Sequence, residues 1–183
     1  MSSTVSPMQS HEIEAVAGLW RAYMVELFGE PGYMTPEVFR RDGLGACFNT
    51  MVARDRGGAP SAVAVWWMTY DAHHAVRGGE VADMFVAPPQ RPLGVGVQVI
   101  AAVAAAVRGR GGLFLRGPAT PENAQRLTRR GHLSGAFPLV NVYWGLGLFD
   151  ALADDAGADV RTLARRLAAA GDKKPSSGHP EAQ

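Results

Sequence analysis

Along the first third of this chain the apolar residues recur at helical spacing. Ile13, Val16, Trp20, Tyr23, Met24 and Leu27 recur at helical spacing on one face, which predicts a helix over 11–28 with that face buried and Ser10 as its cap. Thr35, Pro36 and Glu37 supply a cap, a first-turn proline and an acid at the positive end of a helix dipole. They predict a short second helix that stops near Gly43. The rhythm then shortens. Residues 47–54 and 61–70 are rich in β-branched and aromatic side chains, and the turn Arg56-Gly57-Gly58-Ala59-Pro60 between them predicts a hairpin. A loop over 71–79 leads to a third strand over 80–86, which Pro88 and Pro89 close.

The second half reads as a helix over 94–108, a strand over 113–116, and a short helix opened by Thr120-Pro121-Glu122 and closed at Gly131. A last strand over 139–148 follows Pro138, and a helix over 158–170 carries Val160, Leu163, Leu167 and Ala168 on one stripe. Two strands joined through a helix run parallel, whereas hairpin strands run antiparallel, so the expectation is an α/β chain with a mixed sheet. The small, polar residues 1–9 and the Gly, Pro and Ser-rich residues 171–183 read as mobile ends around a core over 10–149, with 150–170 as a helical extension.

Composition narrows the classes. The chain has 183 residues, 47% of them hydrophobic and 19% charged, which fits one globular domain. A net charge of +1 creates no field that favours nucleic acid or an anionic membrane surface. Cys47 is the single cysteine, so no intrachain disulfide can form and four-thiolate zinc sites are excluded. No export signal is visible in the first 30 residues, and the apolar stretch 97–107 is shorter than a membrane span, so a cytoplasmic location is expected. Cys47 itself reads as a small buried hydrophobe.

The loop Arg91-Pro92-Leu93-Gly94-Val95-Gly96 joins the third strand to the following helix. Glycines without a Cβ let a phosphate approach the backbone, and first-turn N–H groups favour negative charge there. The dinucleotide fingerprint needs a further glycine where Val99 stands, and the Gly-Lys-Ser/Thr ending of a P-loop is missing. The segment VADMFVAPPQRPLGVG resembles motif A of the GNAT superfamily of acyl-CoA-dependent N-acyltransferases, and the element order is also that family's. Asn123 to Gly131 is similar to motif B, and Leu139-Val-Asn-Val-Tyr-Trp is similar to the family's final strand.

That resemblance implies a mostly antiparallel sheet with a central parallel, V-splayed strand pair and flanking helices. Acetyl-CoA is the implied co-substrate, with no metal. Backbone groups of Met84, Phe85 and Val86 would pair with the pantetheine arm. Amides of Arg91, Leu93, Gly94, Val95, Gly96 and Val97 would hold the diphosphate, with Asn123 also on the cofactor, and an N–H near Val86 would steady the oxyanion. Pro92 removes one amide donor. Motif B commonly ends Leu-Tyr-x-x-x-Gly-Phe, but this chain reads Arg126-Leu127-Thr128-Arg129-Arg130-Gly131-His132, without the tyrosine that protonates the leaving thiolate.

Candidate chemistry follows. Asp83 reads as a base or amine anchor, or as a structural cap or ion pair; strand alternation puts it and Glu80 on opposite faces, with Glu80 an exposed strand-end charge. His132 reads as a partly buried core histidine or as an acid in place of the missing phenol. Tyr143 and Tyr70 are further proton donors or sheet-edge residues. Tyr23, Glu26, Glu30 and Tyr33 lie where acceptor pockets form in the family, and His73, in the cluster Asp71, His73 and His74, would border the acceptor cleft. Arg116, Arg126, Arg129 and Arg130 could attract the CoA 3'-phosphate.

The function expected is transfer of an acetyl group from acetyl-CoA to a primary amine of a small molecule by direct attack. The alternative is a catalytically weak or inactive CoA-binding or protein-interaction module of the same fold. Nucleic acid and membrane are not expected partners. Trp66 and Trp67 face opposite sides of the sheet, so at least one serves the core or a subunit contact, and the edge strand 139–148 offers a homodimer surface.

Overall fold

The computed structural model describes residues 4–119, 140–145, 153–154 and 157–171. Among them six strands form one sheet in sequential order: β1 (Thr4–Pro7), β2 (Asn49–Arg54), β3 (Pro60–Asp71), β4 (Val76–Val86), β5 (Phe114–Ala119) and β6 (Val140–Gly145). Neighbours are antiparallel except β4 and β5, which are parallel.

Helices cover both faces. On one, α1 (Ile13–Phe28) and α2 (Pro36–Asp42) bury Ile13, Val16, Trp20 and Phe39 against Val52, Val63, Val65 and Phe85. Thr35 caps α2 as expected, its hydroxyl accepting from the Val38 N–H. At α1 the cap differs from the expected Ser10. A 3-10 turn (Ser10–Glu12) comes first, in which Gln9 and Glu12 form a capping box and the Glu12 carboxylate also meets Arg54 at 2.5 Å. On the other face, α3 (Val95–Arg108) packs Val95, Val99, Val103 and Val107 on Ala53, Ala62, Ala64, Val81 and Leu115. Small residues on that face let the helix come close. Helix α4 (Val160–Gly171) adds Leu163 to the same core and rests Val160 on Gly94.

Three expectations are corrected here. Residues 4–7, read as part of a mobile end, are a strand paired from Thr4↔Arg54 to Pro7↔Met51; its support is tertiary pairing, which a short polar segment does not announce. The loop expected over 71–79 is only a tight connection at 72–75, because β4 begins at Val76. Gly78 and Gly79, which read as turn residues, lie inside β4 and admit the Phe114 ring and Val107. Cys47 is exposed rather than buried, its thiol 3.7 Å from Asp42 Oδ1. The helix read over 120–131 and the tail from 172 lie outside the described residues.

β4 pairs with β5 only at Gly79↔Leu115 and Glu80↔Arg116, although β4 continues to Val86 and β5 to Ala119. The two strands therefore part beyond Glu80. Gly117 lies just past the fork, where an added Cβ would stand 2.7 Å from the Val81 carbonyl oxygen. A Cβ at Gly79 would meet Leu115 at 2.9 Å and overlap Val107. Gly79→Ala should therefore cost about 1–3 kcal/mol through overpacking at the closed end of the fork, read as a lower urea midpoint at unchanged slope; an unaltered midpoint would contradict this packing.

Candidate active site

The fork is bounded by β4 beyond Glu80, by β5, and by the first turn of α3. Gly94 sits in the left-handed region at φ 72°, where a side chain is strained, and a Cβ there would also run into Val160. Gly96 faces β4: a Cβ on it would lie 3.4 Å from Val86 Cγ2 and 3.5 Å from Met84 Cε. Gly94 donates to Arg91 and Val97 donates back to Gly94, while no described residue accepts from the N–H groups of Val95 or Gly96. The turn's outer side is covered by Val160, and Gly96, on its inner side, looks onto the unpaired part of β4.

β4 carries a bulge that sequence alternation misses. Val65 pairs with Asp83 and Trp66 with Val81, so Ala82 is an extra residue in β4. Val81 lies in the α3 core, whereas Ala82 packs with the α1 cluster and Asp83 accepts a hydrogen bond from the Tyr23 hydroxyl of α1. Glu80 pairs across the sheet with Trp67 and meets Arg116 at 2.7 Å, on the face away from α3. Glu80 and Asp83 thus share a face, contrary to the expectation that they point apart. Glu80 is no exposed strand-end charge either: Arg116 holds it and also donates to Thr69 Oγ1 at 3.0 Å. Arg116 is accordingly engaged rather than free for a phosphate.

Asp83 has an unusual setting. Burial raises its carboxyl above the ordinary aspartate value, and the bonds it accepts from the Tyr23 hydroxyl and the Met84 N–H work against that rise. The Tyr23 phenol is pushed well above its ordinary value, first by burial and then by the neighbouring carboxylate, so it stays protonated. The Tyr23 ring is 5.3 Å from Phe85 and 5.4 Å from Trp20. Sequence reading named Tyr23 and Asp83 separately; their pairing over 60 residues of chain is a product of the fold.

Arg91 and Glu26 are likewise joined. Arg91 donates through Nη2 to both Glu26 oxygens, at 2.7 and 2.8 Å, and through Nε to the Val86 carbonyl at 2.9 Å. The structure thus gathers Tyr23, Glu26, Asp83, Met84, Phe85, Val86, Arg91 and Gly94 to Val97 around one end of β4. Leu93 is exposed on the 3-10 turn (Pro88–Leu93) leading to them.

Other candidates lie elsewhere. Tyr33 is 92% exposed on the segment after α1. His73 sits in the connection before Val76, at the opposite end of β4 from Val86, where Asp71 accepts from the His73 and His74 amides. The His74 ring, 3.0 Å from Asp71, holds that carboxyl down at about 2. No group of three His, Cys, Asp or Glu side chains among the described residues is arranged to hold a metal. Asn123 and His132 lie outside the described residues; Tyr143 is placed by the β5–β6 register opposite Arg116, with its side chain outside the description.

A mixed sheet whose one parallel pair opens into a V, with helices on both faces, is the fold of the GNAT superfamily. The sequence matches no protein-family model, and no curated protein is significantly similar to it. Among solved structures it is similar to a GNAT-superfamily phosphinothricin acetyltransferase from Sinorhizobium meliloti in complex with acetyl-CoA, with a TM-score of 0.59 at 13% identity over 78% of this chain and 86% of that one. A ribosomal-protein-alanine N-acetyltransferase from Brucella melitensis gives 0.60 at 15% identity over 74% and 94%. A GNAT-family acetyltransferase from Staphylococcus aureus gives 0.59 at 10% over 79% and 99%. At such identities the likeness is one of fold. No helix among the described residues is long and apolar enough to cross a membrane.

The Tyr23 bond opposes the rise of the Asp83 pKa, so Tyr23→Phe should raise that pKa further, measured by carbon-13 titration of the carboxyl. An acid with a raised folded-state pKa costs stability as pH climbs from its unfolded value through its folded one. The variant should therefore lose more stability than wild type over that window, and a pKa that falls or stays put would contradict the assignment.

Proposed function

We propose that the chain is an N-acetyltransferase that moves acetyl from acetyl-CoA to the primary amine of a small molecule by direct attack. The observation that carries this reading is the opening of β4 from β5 beside the first turn of α3, with N–H groups at Val95 and Gly96 that no described residue accepts from. The pantetheine arm would lie along Met84, Phe85 and Val86, and the diphosphate would rest on the turn from Arg91 and Leu93 through Gly94, Val95, Gly96 and Val97, with Asn123 on the cofactor. The neighbour from Sinorhizobium, solved with acetyl-CoA, supports the donor and, by its name, a small amine acceptor. The Brucella neighbour acts by its name on a protein alanine, so the fold serves both acceptor classes.

In the reaction the amine nitrogen attacks the thioester carbonyl carbon. The N–C bond forms, the C–S bond breaks, and the thiolate departs with a proton. The amine must be neutral to attack, and Asp83 would take its proton, directly or through water. A raised pKa brings Asp83 nearer to the range where a base works at neutral pH. Tyr23 orients the carboxylate, and Glu26 is proposed for the acceptor side; Tyr33, exposed after α1, and His73, at the far end of β4, do not reach it. His132 or Tyr143 would protonate the thiolate, and an N–H near Val86 would face the oxyanion.

The alternative, a CoA-binding or interaction module with little transferase activity, gains weight from the engaged Arg91 and from Pro92, which has no N–H to offer. A cytoplasmic homodimer completes the proposal.

Calorimetry with acetyl-CoA followed by thiol release across an amine panel separates the two readings: turnover supports the enzyme, and binding alone supports the module. Gly96→Arg places a long side chain against Met84 and Val86 and should weaken CoA binding at least about tenfold, or 1.4 kcal/mol, with the fold retained by circular dichroism. Asp83→Asn keeps an acceptor for Tyr23 but loses the base, so it should lower kcat at least about tenfold with CoA affinity nearly unchanged. Equal losses of both, with a lower Tm, would make Asp83 structural instead.

A further inference from the structure

Arg91 stands between the two places that the proposed reaction uses. Its guanidinium bonds Glu26 and the Val86 carbonyl and lies 5.5 Å from the centre of the Phe85 ring. Another neighbour of that ring is Tyr23, which holds Asp83. The same guanidinium therefore occupies a backbone acceptor at the end of β4 and neutralises a carboxylate beside the acceptor side. Tyr23 and Glu26 are three residues apart on α1 and so share a helix face.

The contact is exchangeable. Arg91 and Glu26 keep 45% and 48% side-chain exposure, so water and salt screen the pair and it holds weakly. Arg91 lies three residues before Gly94, and a diphosphate seated on the Val95 and Gly96 amides would bring more than one negative charge within its reach. Guanidinium forks match phosphate oxygens in two-pronged geometry, and a diphosphate carries more charge than one carboxylate.

We propose that Arg91 is a latch that changes partners: the diphosphate of a CoA thioester draws it from Glu26, and Glu26 is left as a free carboxylate facing a cationic acceptor. This rests on the acyl-CoA reading of the cleft. Without the donor, Glu26 is neutralised; with the donor in place, the acceptor side gains a negative charge. Linkage requires the converse, so removing the Glu26 charge must favour donor binding. One half-exposed pair gives a coupling on the order of twofold to fivefold.

Calorimetric titration of the full chain with CoA tests the latch in wild type, Glu26→Gln, Arg91→Ala and the double variant. Glu26→Gln should bind CoA about two to five times more tightly than wild type, and Arg91→Ala should bind it less tightly. In the Arg91→Ala background Glu26→Gln should change nothing. An equal gain in both backgrounds would mean that Glu26 only repels an anion at a distance, and would overturn the latch. Unchanged or weaker binding by Glu26→Gln alone would overturn it too. If wild type binds CoA and only these differences fail, the acyl-CoA reading stands without the latch; if wild type takes up no CoA, both fall.

Discussion

The close approach of α3 to β4 at one end of the parallel pair sets the geometry of everything described above. At Gly79 the helix comes so near that Val107 fills the space a Cβ would need, and Gly78 and Gly112 give way in the same manner to Phe114 and Val107. At the other end of the helix, Gly96 stands 3.4 Å or more from β4 by the same measure. Parallel pairing holds for two residue pairs, Gly79↔Leu115 and Glu80↔Arg116, and then stops. The cleft is thus the complement of a packing contact, with the core at the closed end and the candidate residues at the open end.

Much of this was legible in the sequence because it is local. Thr35-Pro36 and the β-branched run from Ser61 act through their own backbone preferences, and both elements form where those preferences put them. At Gly94 the sequence showed room for a phosphate at the backbone; that the residue is left-handed is seen only in the structure. What escaped is non-local. Thr4–Pro7 is a strand only because Arg54 to Met51 lie opposite. Gly78 and Gly79 read as a loop because their reason, Phe114 and Val107, comes some thirty residues later.

The bulge at Ala82 is the most consequential of these, since a register shift moves every later side chain to the other face. Strict alternation separates Glu80 from Asp83; the inserted residue returns them to one face and brings Asp83 under Tyr23. The candidate residues were legible, whereas their electrostatics were not. A carboxyl whose pKa rises by burial, steadied by a phenol from a helix 60 residues earlier, is a property of the assembled pocket.

Pro92 shows how a local loss can serve the site. It withholds one N–H from the turn before α3, which counts against anion binding if donors are simply tallied. Yet Pro88, Pro89 and Pro92 all sit in the 3-10 turn Pro88–Leu93, and each fixes its own φ. The turn ends at Gly94, whose left-handed backbone is closed over by Val160 from α4. A turn held in this way has little freedom left to lose when a ligand orders it, and ordering costs on binding run to about 0.5–1.5 kcal/mol per immobilised side chain. Rigidity at that scale offsets a missing hydrogen bond of about 1 kcal/mol. Among the described residues, α4 therefore acts on this turn through Val160, which packs on Gly94 beside the N–H groups of Val95 and Gly96.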